Sequence, residues 1–382
     1  MLPPAPRRSS PPMRRPLLPK LTLAVTVALV ALLGLLVVGE LFARIKDGRA
    51  GVELADYLPR SDEERGNSMY LPHPSLGYVM RPGFERSSEK PRVQWTINAH
   101  GFRGDELVVP KPEGTFRVLC VGGSTTFGTG VRVDEDSYPA RLQTILRENL
   151  PPEIAIDVGN FGVPGYTTAH TLINLALRLT EYDADLVVVY HAANDALMAQ
   201  TEGFLPDYTH AMRVWSAQEV APVERFLIEN SRLFAQLSGA RDRYAERNLR
   251  DLVYVDGFDD LHVPADRFMN REGVDVFLRN MRSIVDLVRG QRRQILLQTF
   301  ATDESLEADE GSRFQETVVA MNEGLAKIAA DRRVPIVDIA RYLDDKEGNY
   351  VDWMHLNERG TETHARLLAG PVGKIILKAH RE

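Results

Sequence analysis

From Thr115 onward the chain alternates short apolar runs with longer stretches of helical periodicity. The runs at 116–121, 154–158, 186–190, 295–299 and 335–339 are rich in β-branched residues and bounded by turn residues, which predicts buried strands. Apolar positions at helical spacing fill 138–150, 167–180, 274–289, 315–331 and 358–378. Strands alternating with helices predict an α/β fold: a parallel sheet with helices on both faces. The rhythm breaks between Asp195 and Val274. That gap holds an amphipathic stretch at 222–237, a charged stretch at 241–250, and loops bearing Trp215 and Phe258. Residues 196–273 therefore read as an inserted subdomain over the active face.

The N-terminal pattern is different. Residues 21–43 are almost wholly apolar, with Glu40 the one charge, near their end. About 20 helical residues cross a bilayer core, and this run fits. It exceeds the roughly 7–15 residues of a signal-peptide core and no clear small-x-small cleavage site follows, so an uncleaved transmembrane anchor is expected rather than a removed leader. Residues 1–20 carry five basic residues and no acid, and seven of the first 19 residues are proline. A disordered cytoplasmic tail is the expectation there, with the body on the opposite side of the membrane. Residues 44–112 read as a small irregular region with a short strand at 93–98 and a hinge at Pro110 and Pro112. The main domain is expected over 113–382.

Composition adds exclusions. Apolar residues make up 44% and charged residues 26%, as expected of a chain with a real core. The net charge is −7, and the basic first 20 residues leave −12 on the remainder. So acidic a body is unsuited to neutralising nucleic-acid phosphates. Cys120 is the lone cysteine, which excludes an internal disulfide and zinc sites built on paired cysteines; it reads as a small core hydrophobe.

Candidate chemistry gathers where strands end. The run 116–121 stops at Gly122 and Gly123, and Ser124 follows. Such a turn lifts one hydroxyl above the carboxyl edge of a sheet, where open α/β folds bind ligands. A serine hydroxyl needs a base at neutral pH. Near the C-terminus Asp352 and His355 stand three residues apart before a predicted helix. Asp352 would fix the imidazole tautomer, and the free ring nitrogen of His355 would take the Ser124 proton. Gly162 and Asn194 follow the second and third strands. With the backbone N–H of Ser124, the N–H of Gly162 and the side-chain amide of Asn194 would surround one developing oxyanion. His191 lies beside Asn194 and either faces substrate or is structural; His73 and His100 read as structural histidines.

Rival motifs fail on particular residues. A phosphate-binding loop needs Gly-Lys-Ser/Thr, but Thr129 follows Gly128. The α/β-hydrolase elbow needs glycine two residues after the serine, where Thr126 stands. The scattered acids and histidines form no metal-ligand pattern, so no cofactor and no metal are expected.

Four segments in order resemble the SGNH (GDSL) hydrolase family: the turn at 122–128, the glycine segment at 160–165, Ala192-Ala193-Asn194-Asp195, and the Asp352–His355 segment with Leu356 and Asn357 after it. The resemblance covers about residues 115–380. It implies a flavodoxin-like three-layer α/β/α sandwich, with Ser124 as nucleophile, His355 as base and Asp352 as its partner. Ser124, Gly162 and Asn194 would supply the oxyanion donors. Two positions depart from the family pattern: Gly123 stands for the usual aspartate, and Ala192 for the usual glycine. The function expected is an extracytoplasmic serine esterase acting on acyl esters, acetyl above all, of small molecules or envelope carbohydrate. An acyltransferase with the same triad and a catalytically silent glycan-binding scaffold are the alternatives.

Overall fold

The computed structural model describes residues 18–52, 69–89, 92–200, 204–209, 221–239, 270–303, 314–344 and 348–381. The N-terminal apolar run forms a single long helix, α1 (Leu18–Ala50). Residues 69–112 then supply two antiparallel pairs, β1 (Tyr70–His73) with β2 (Gly77–Met80) and β3 (Glu85–Glu89) with β4 (Arg92–Thr96).

The sheet of the body contains β5 (Thr115–Gly122), β6 (Ala155–Gly162), β7 (Leu186–Tyr190), β8 (Gln294–Gln298) and β9 (Ile336–Val337). All neighbours pair in parallel, in the order β6-β5-β7-β8-β9. That is the flavodoxin-like order, whose crossover direction reverses between β5 and β7 and leaves a ligand crevice there. β7 is buried throughout and β5 nearly so, as a strand covered on both faces must be. The helices in chain order are α2 (Ser124–Phe127), α3 (Tyr138–Asn149), α4 (Thr168–Leu177), α5 (Ala193–Gln200), α6 (Pro222–Asn230), α7 (Arg232–Leu237), α8 (Arg271–Gly290), α9 (Phe314–Arg332), α10 (Ala340–Leu343) and α11 (Glu358–Ala379). α3 packs with α11 as one layer; α4, α5 and α9 pack with α8 as the other.

The five expected strands and five long helices of the body are all present, with two changed boundaries. β9 contracts to two residues. β6 runs on to Gly162, because Gly159–Gly162 stay in register with Leu119–Gly122 of β5. The loop expected to begin at Gly159 therefore begins four residues later, after Gly162.

Residues 69–112 share a core with the sheet. Leu76, Tyr78, Met80 and Ile97 bury themselves against Phe127 of α2 and against Val163 and Tyr166 after β6. By contrast, the described part of the expected insert is not one element. Residues 204–209 belong to the body, whereas 221–239, carrying α6 and α7, group with α1 in a second unit. Trp215, Phe258 and the charged stretch 241–250 lie outside the described residues.

Candidate active site

Two glycines end β5 because other atoms occupy the space of their side chains. A Cβ on Gly122 would meet the carbonyl oxygen of Tyr190 at 2.5 Å. One on Gly123 would stand 2.6 Å from Asn194 Nδ2 and 3.2 Å from the carbonyl oxygen of Tyr166. The chain turns there into α2, and Ser124 is its first residue. Gly128, at φ 89°, ends the helix in the left-handed region that favours glycine, and its N–H donates to the Ser124 carbonyl.

His355 arrives from the loop between α10 and α11. Its Nε2 is 2.8 Å from Ser124 Oγ. Its Nδ1 is 2.7 Å from Asp352 Oδ2. The carboxylate only accepts, so Nδ1 carries the ring proton and Nε2 is left to accept from the serine. Asp352 is itself fixed: its Oδ1 accepts the backbone N–H groups of Met354 at 3.0 Å and His355 at 2.8 Å. Asn357 caps α11 immediately afterwards, accepting the N–H groups of Arg359 and Gly360. Burial alone would push the Asp352 carboxyl up, but the His355 hydrogen bond and charge and the two N–H donors outweigh it and hold the pKa below the ordinary carboxylate value. Ser124 is buried, 4% exposed.

Asn194 lies in the first turn of α5, buried, and is not an N-cap. One proton of its amide goes to the Tyr166 carbonyl at 2.9 Å, which leaves the second beside Gly123. Ala192, where the pattern has glycine, is buried and its carbonyl accepts the Ala196 N–H, so the helix starts normally over the added methyl.

Gly162 differs from expectation. It is the last residue of β6, and its N–H donates to Asn160 Oδ1 at 3.1 Å. Its Cα abuts the backbone of Phe127. This donor is engaged, because the strand continues through a position read from sequence as a loop. The turn comes at Val163-Pro164-Gly165-Tyr166, where the Tyr166 N–H returns to the Val163 carbonyl at 3.1 Å and Gly165 has φ 81°. Proline second and a positive-φ glycine third are the marks of a type II turn. The Pro164 carbonyl accepts from Tyr78 Oη at 2.5 Å, and Tyr166 Oη returns a bond to the Tyr78 carbonyl at 2.8 Å. Carbonyl and N–H of one trans peptide point in opposite directions. Tyr78 therefore also fixes the direction of the Gly165 N–H, which has no acceptor among the described residues.

The other singled-out residues are structural. His191 is buried with Nε2 2.7 Å from Thr171 Oγ1, and desolvation lowers its pKa to about 3. His73 Nδ1 accepts the N–H groups of Ser75 and Leu76, and His100 Nε2 lies 3.0 Å from the Leu107 carbonyl. Burial pushes the Cys120 thiol up to about 12, which makes it inert as a nucleophile. Among the described residues no group of three His, Cys, Asp or Glu side chains is placed to hold a metal ion.

Sequence reading missed Arg103. Its buried guanidinium donates to the carbonyls of Phe127 and Gly128 at 3.1 and 2.7 Å and to Asp134 at 2.7 Å, closing the end of α2. Asn160 also binds the Phe127 carbonyl. No local motif marks either role.

A parallel sheet in this order, a serine on the turn at its crossover reversal, and an Asp-His pair in reach of that serine define a hydrolase of ester bonds. The chain belongs to the GDSL-like lipase/acylhydrolase family, whose model matches residues 120–362. Solved structures similar to it include a lipolytic protein of the G-D-S-L family from Desulfitobacterium hafniense DCB-2, at 13% identity over 66% of this chain and 98% of that one, with a TM-score of 0.40. An α/β hydrolase from the metagenome of Lake Arreo, Spain, is 13% identical over 68% and 96%, at a TM-score of 0.43. An acetylxylan esterase from Geobacillus stearothermophilus is 16% identical over 68% and 94%, at 0.39. No curated protein matches the chain.

Proposed function

We propose that the protein is a membrane-anchored serine esterase whose catalytic body lies outside the cytoplasm. The observation that carries the chemistry is the unbroken sequence Asp352 Oδ2–His355 Nδ1 and His355 Nε2–Ser124 Oγ, at 2.7 and 2.8 Å. Ser124 Oγ attacks the acyl carbonyl carbon while His355 Nε2 takes its proton. Asp352 stabilises the imidazolium without being protonated itself. The oxyanion takes hydrogen bonds from the Ser124 N–H, from the Gly165 N–H in place of the engaged Gly162, and from the free proton of the Asn194 amide. Collapse breaks the ester C–O bond, and His355 delivers its proton to the leaving alcohol. Water then attacks the acyl-serine, losing a proton to His355, and Ser124 and the free acid are regenerated.

The setting is supported by α1. Its segment from Thr22 is long and apolar enough to cross a bilayer. Five basic residues precede the apolar run 21–43, against Arg44, Lys46 and Arg49 close after it, which favours an N-terminus in the cytoplasm. A body so placed meets acylated envelope carbohydrate and lipid. The burial of Ser124 is compatible with a small acyl group, acetyl first. Purified full-length protein should release acetate from an activated acetyl ester and from O-acetylated envelope glycan, and Ser124→Ala should abolish both while the circular dichroism spectrum is unchanged. Retained turnover in that variant would overturn the serine mechanism. Transfer of the acetyl group to an added glycan acceptor in preference to water would make the same site a transferase.

A further inference from the structure

The unit that contains α1 holds an apolar surface the esterase chemistry does not use. Val223, Phe226 and Leu227 lie on one face of α6 at i, i+3, i+4 spacing, and all three are exposed, Val223 at 72% and Phe226 at 62%. Leu237, the last residue of α7, is exposed at 78%. Arg225, on the opposite face of α6, pairs loosely with Glu229. An exposed apolar stripe backed by charge marks a contact surface rather than a solvated helix.

Its location identifies the partner. Glu40, the one charge in the apolar run, holds the start of α7: its carboxylate accepts from Ser231 Oγ at 2.8 Å and from the N–H groups of Arg232 and Leu233 at 3.0 Å each. A carboxylate facing a helix N-terminus is favourably placed. Leu233 packs on Gly39, where a Cβ would stand 2.8 Å from its Cδ2. Gln236 donates to the Ala43 carbonyl and to Asp47. These contacts run α7 alongside α1 from Gly39 to Asp47 and hold its start, where α6 joins it, at the level of Glu40. Glu40 follows Thr22 by 18 residues, about 27 Å along a helix, close to the roughly 30 Å of a hydrocarbon core. The clamp therefore lies at the far boundary of the membrane. The apolar side chains of α1 below that level, Leu29, Leu33 and Leu36 among them, are exposed and continuous in character with the α6 stripe.

We propose that α6 forms an interfacial foot: Val223, Phe226 and Leu227 immerse in the boundary between lipid headgroups and acyl chains, while Arg225 faces water. Amphipathic helices bind in this way, about 5–10 Å deep. The inference rests on α1 spanning the membrane, and the experiment separates the two. Phe226→Cys, Arg225→Cys and Leu29→Cys are made singly in the full chain, labelled with a nitroxide and reconstituted into phosphatidylcholine vesicles. Cys120 is fully buried and escapes the label. Hydrolysis of a soluble activated ester verifies that each variant is folded. Paramagnetic accessibility should show Leu29→Cys deep in the bilayer. Phe226→Cys should have an oxygen-to-nickel ratio severalfold above that of Arg225→Cys. If the 226 label is as open to aqueous nickel as the 225 label while the 29 label is deep, the foot is wrong and the anchor stands. If the 226 label is shielded from both reagents, protein covers it and the lipid assignment is overturned. If the 29 label is open to water, the anchor fails and the foot with it.

Discussion

The position a side chain on Gly123 would take is 2.6 Å from the Nδ2 atom of Asn194. The turn that presents Ser124 and the amide expected to meet the oxyanion thus exclude any larger residue between them. Gly123→Ala should displace Asn194 and lower kcat toward the roughly 10²–10³-fold loss of one oxyanion donor, with KM little changed. Asn194→Ala should do the same. Because both act through one amide, the double variant should be scarcely worse than either single one, as steady-state kinetics on the three proteins would show.

Asp352→Asn should reduce kcat by about 10⁴-fold, since an amide in place of the carboxylate favours the wrong His355 tautomer. The depressed pKa of Asp352 keeps it ionised through the neutral and mildly acidic range. Its pairing with His355 supports the fold above the ordinary carboxylate pKa and is lost as pH falls through the lower folded-state value. Wild type and variant should converge in stability at the acid end, as thermal melts across pH would record.

Tyr78→Phe removes the hydroxyl that holds the Pro164 carbonyl. The buried hydrogen bond is worth about 1 kcal/mol, so the fold should survive. The larger effect should fall on kcat, because the Gly165 N–H on the same peptide loses its fixed direction. Tyr166→Phe, which lacks that link to the Pro164–Gly165 peptide, should cost less activity for a similar change in melting temperature.

Three buried histidines make the body acid-sensitive. Desolvation lowers the pKa of His170 to about 4, and those of His191 and His364 to about 3. Each folded value lies below the unfolded 6.5, so the unfolded chain binds more protons between the two. Stability is fully present above pH 6.5 and falls as pH drops toward the folded values, by up to about 1.4 kcal/mol per pH unit for each group. His364→Gln should flatten that slope in urea titrations between pH 6.5 and 4.

Arg103→Leu leaves Asp134 and two carbonyls at the end of α2 without their buried cation. A loss of about 3–5 kcal/mol is expected. Arg103→Lys should recover only part of it, because one ammonium cannot span the fork that the guanidinium fills. Denaturant midpoints of the two variants would test this.

These cases indicate what could be read from the chain alone. The meeting of Ser124, Asp352 and His355 was legible because each sits in a short segment with a recognisable local pattern. The alternation of strands and helices was legible because burial on both faces leaves apolar runs. Gly162 was misread for one reason: glycine, asparagine and glycine at 159–162 have poor strand propensity, and only pairing with Leu119–Gly122 keeps them extended. The turn moved four residues along, and the proposed donor moved from Gly162 to Gly165. Tyr78 and Arg103 were invisible because their partners lie 86 and 24–31 residues away and their residue types announce nothing. The 196–273 segment was taken as one insert because sequence does not record that its middle packs on a helix some 190 residues earlier.

Asp352 and His355, the proposed carboxylate and base, are three residues apart, and bonds within their own loop hold them together. They form a self-contained cassette that needs only to be delivered to the serine. The segment 221–239, which groups with α1 and not with the body, can therefore take on duties at a membrane without retuning that proton transfer. In this family member, the part of the chain free to diversify is the part that has taken hold of α1.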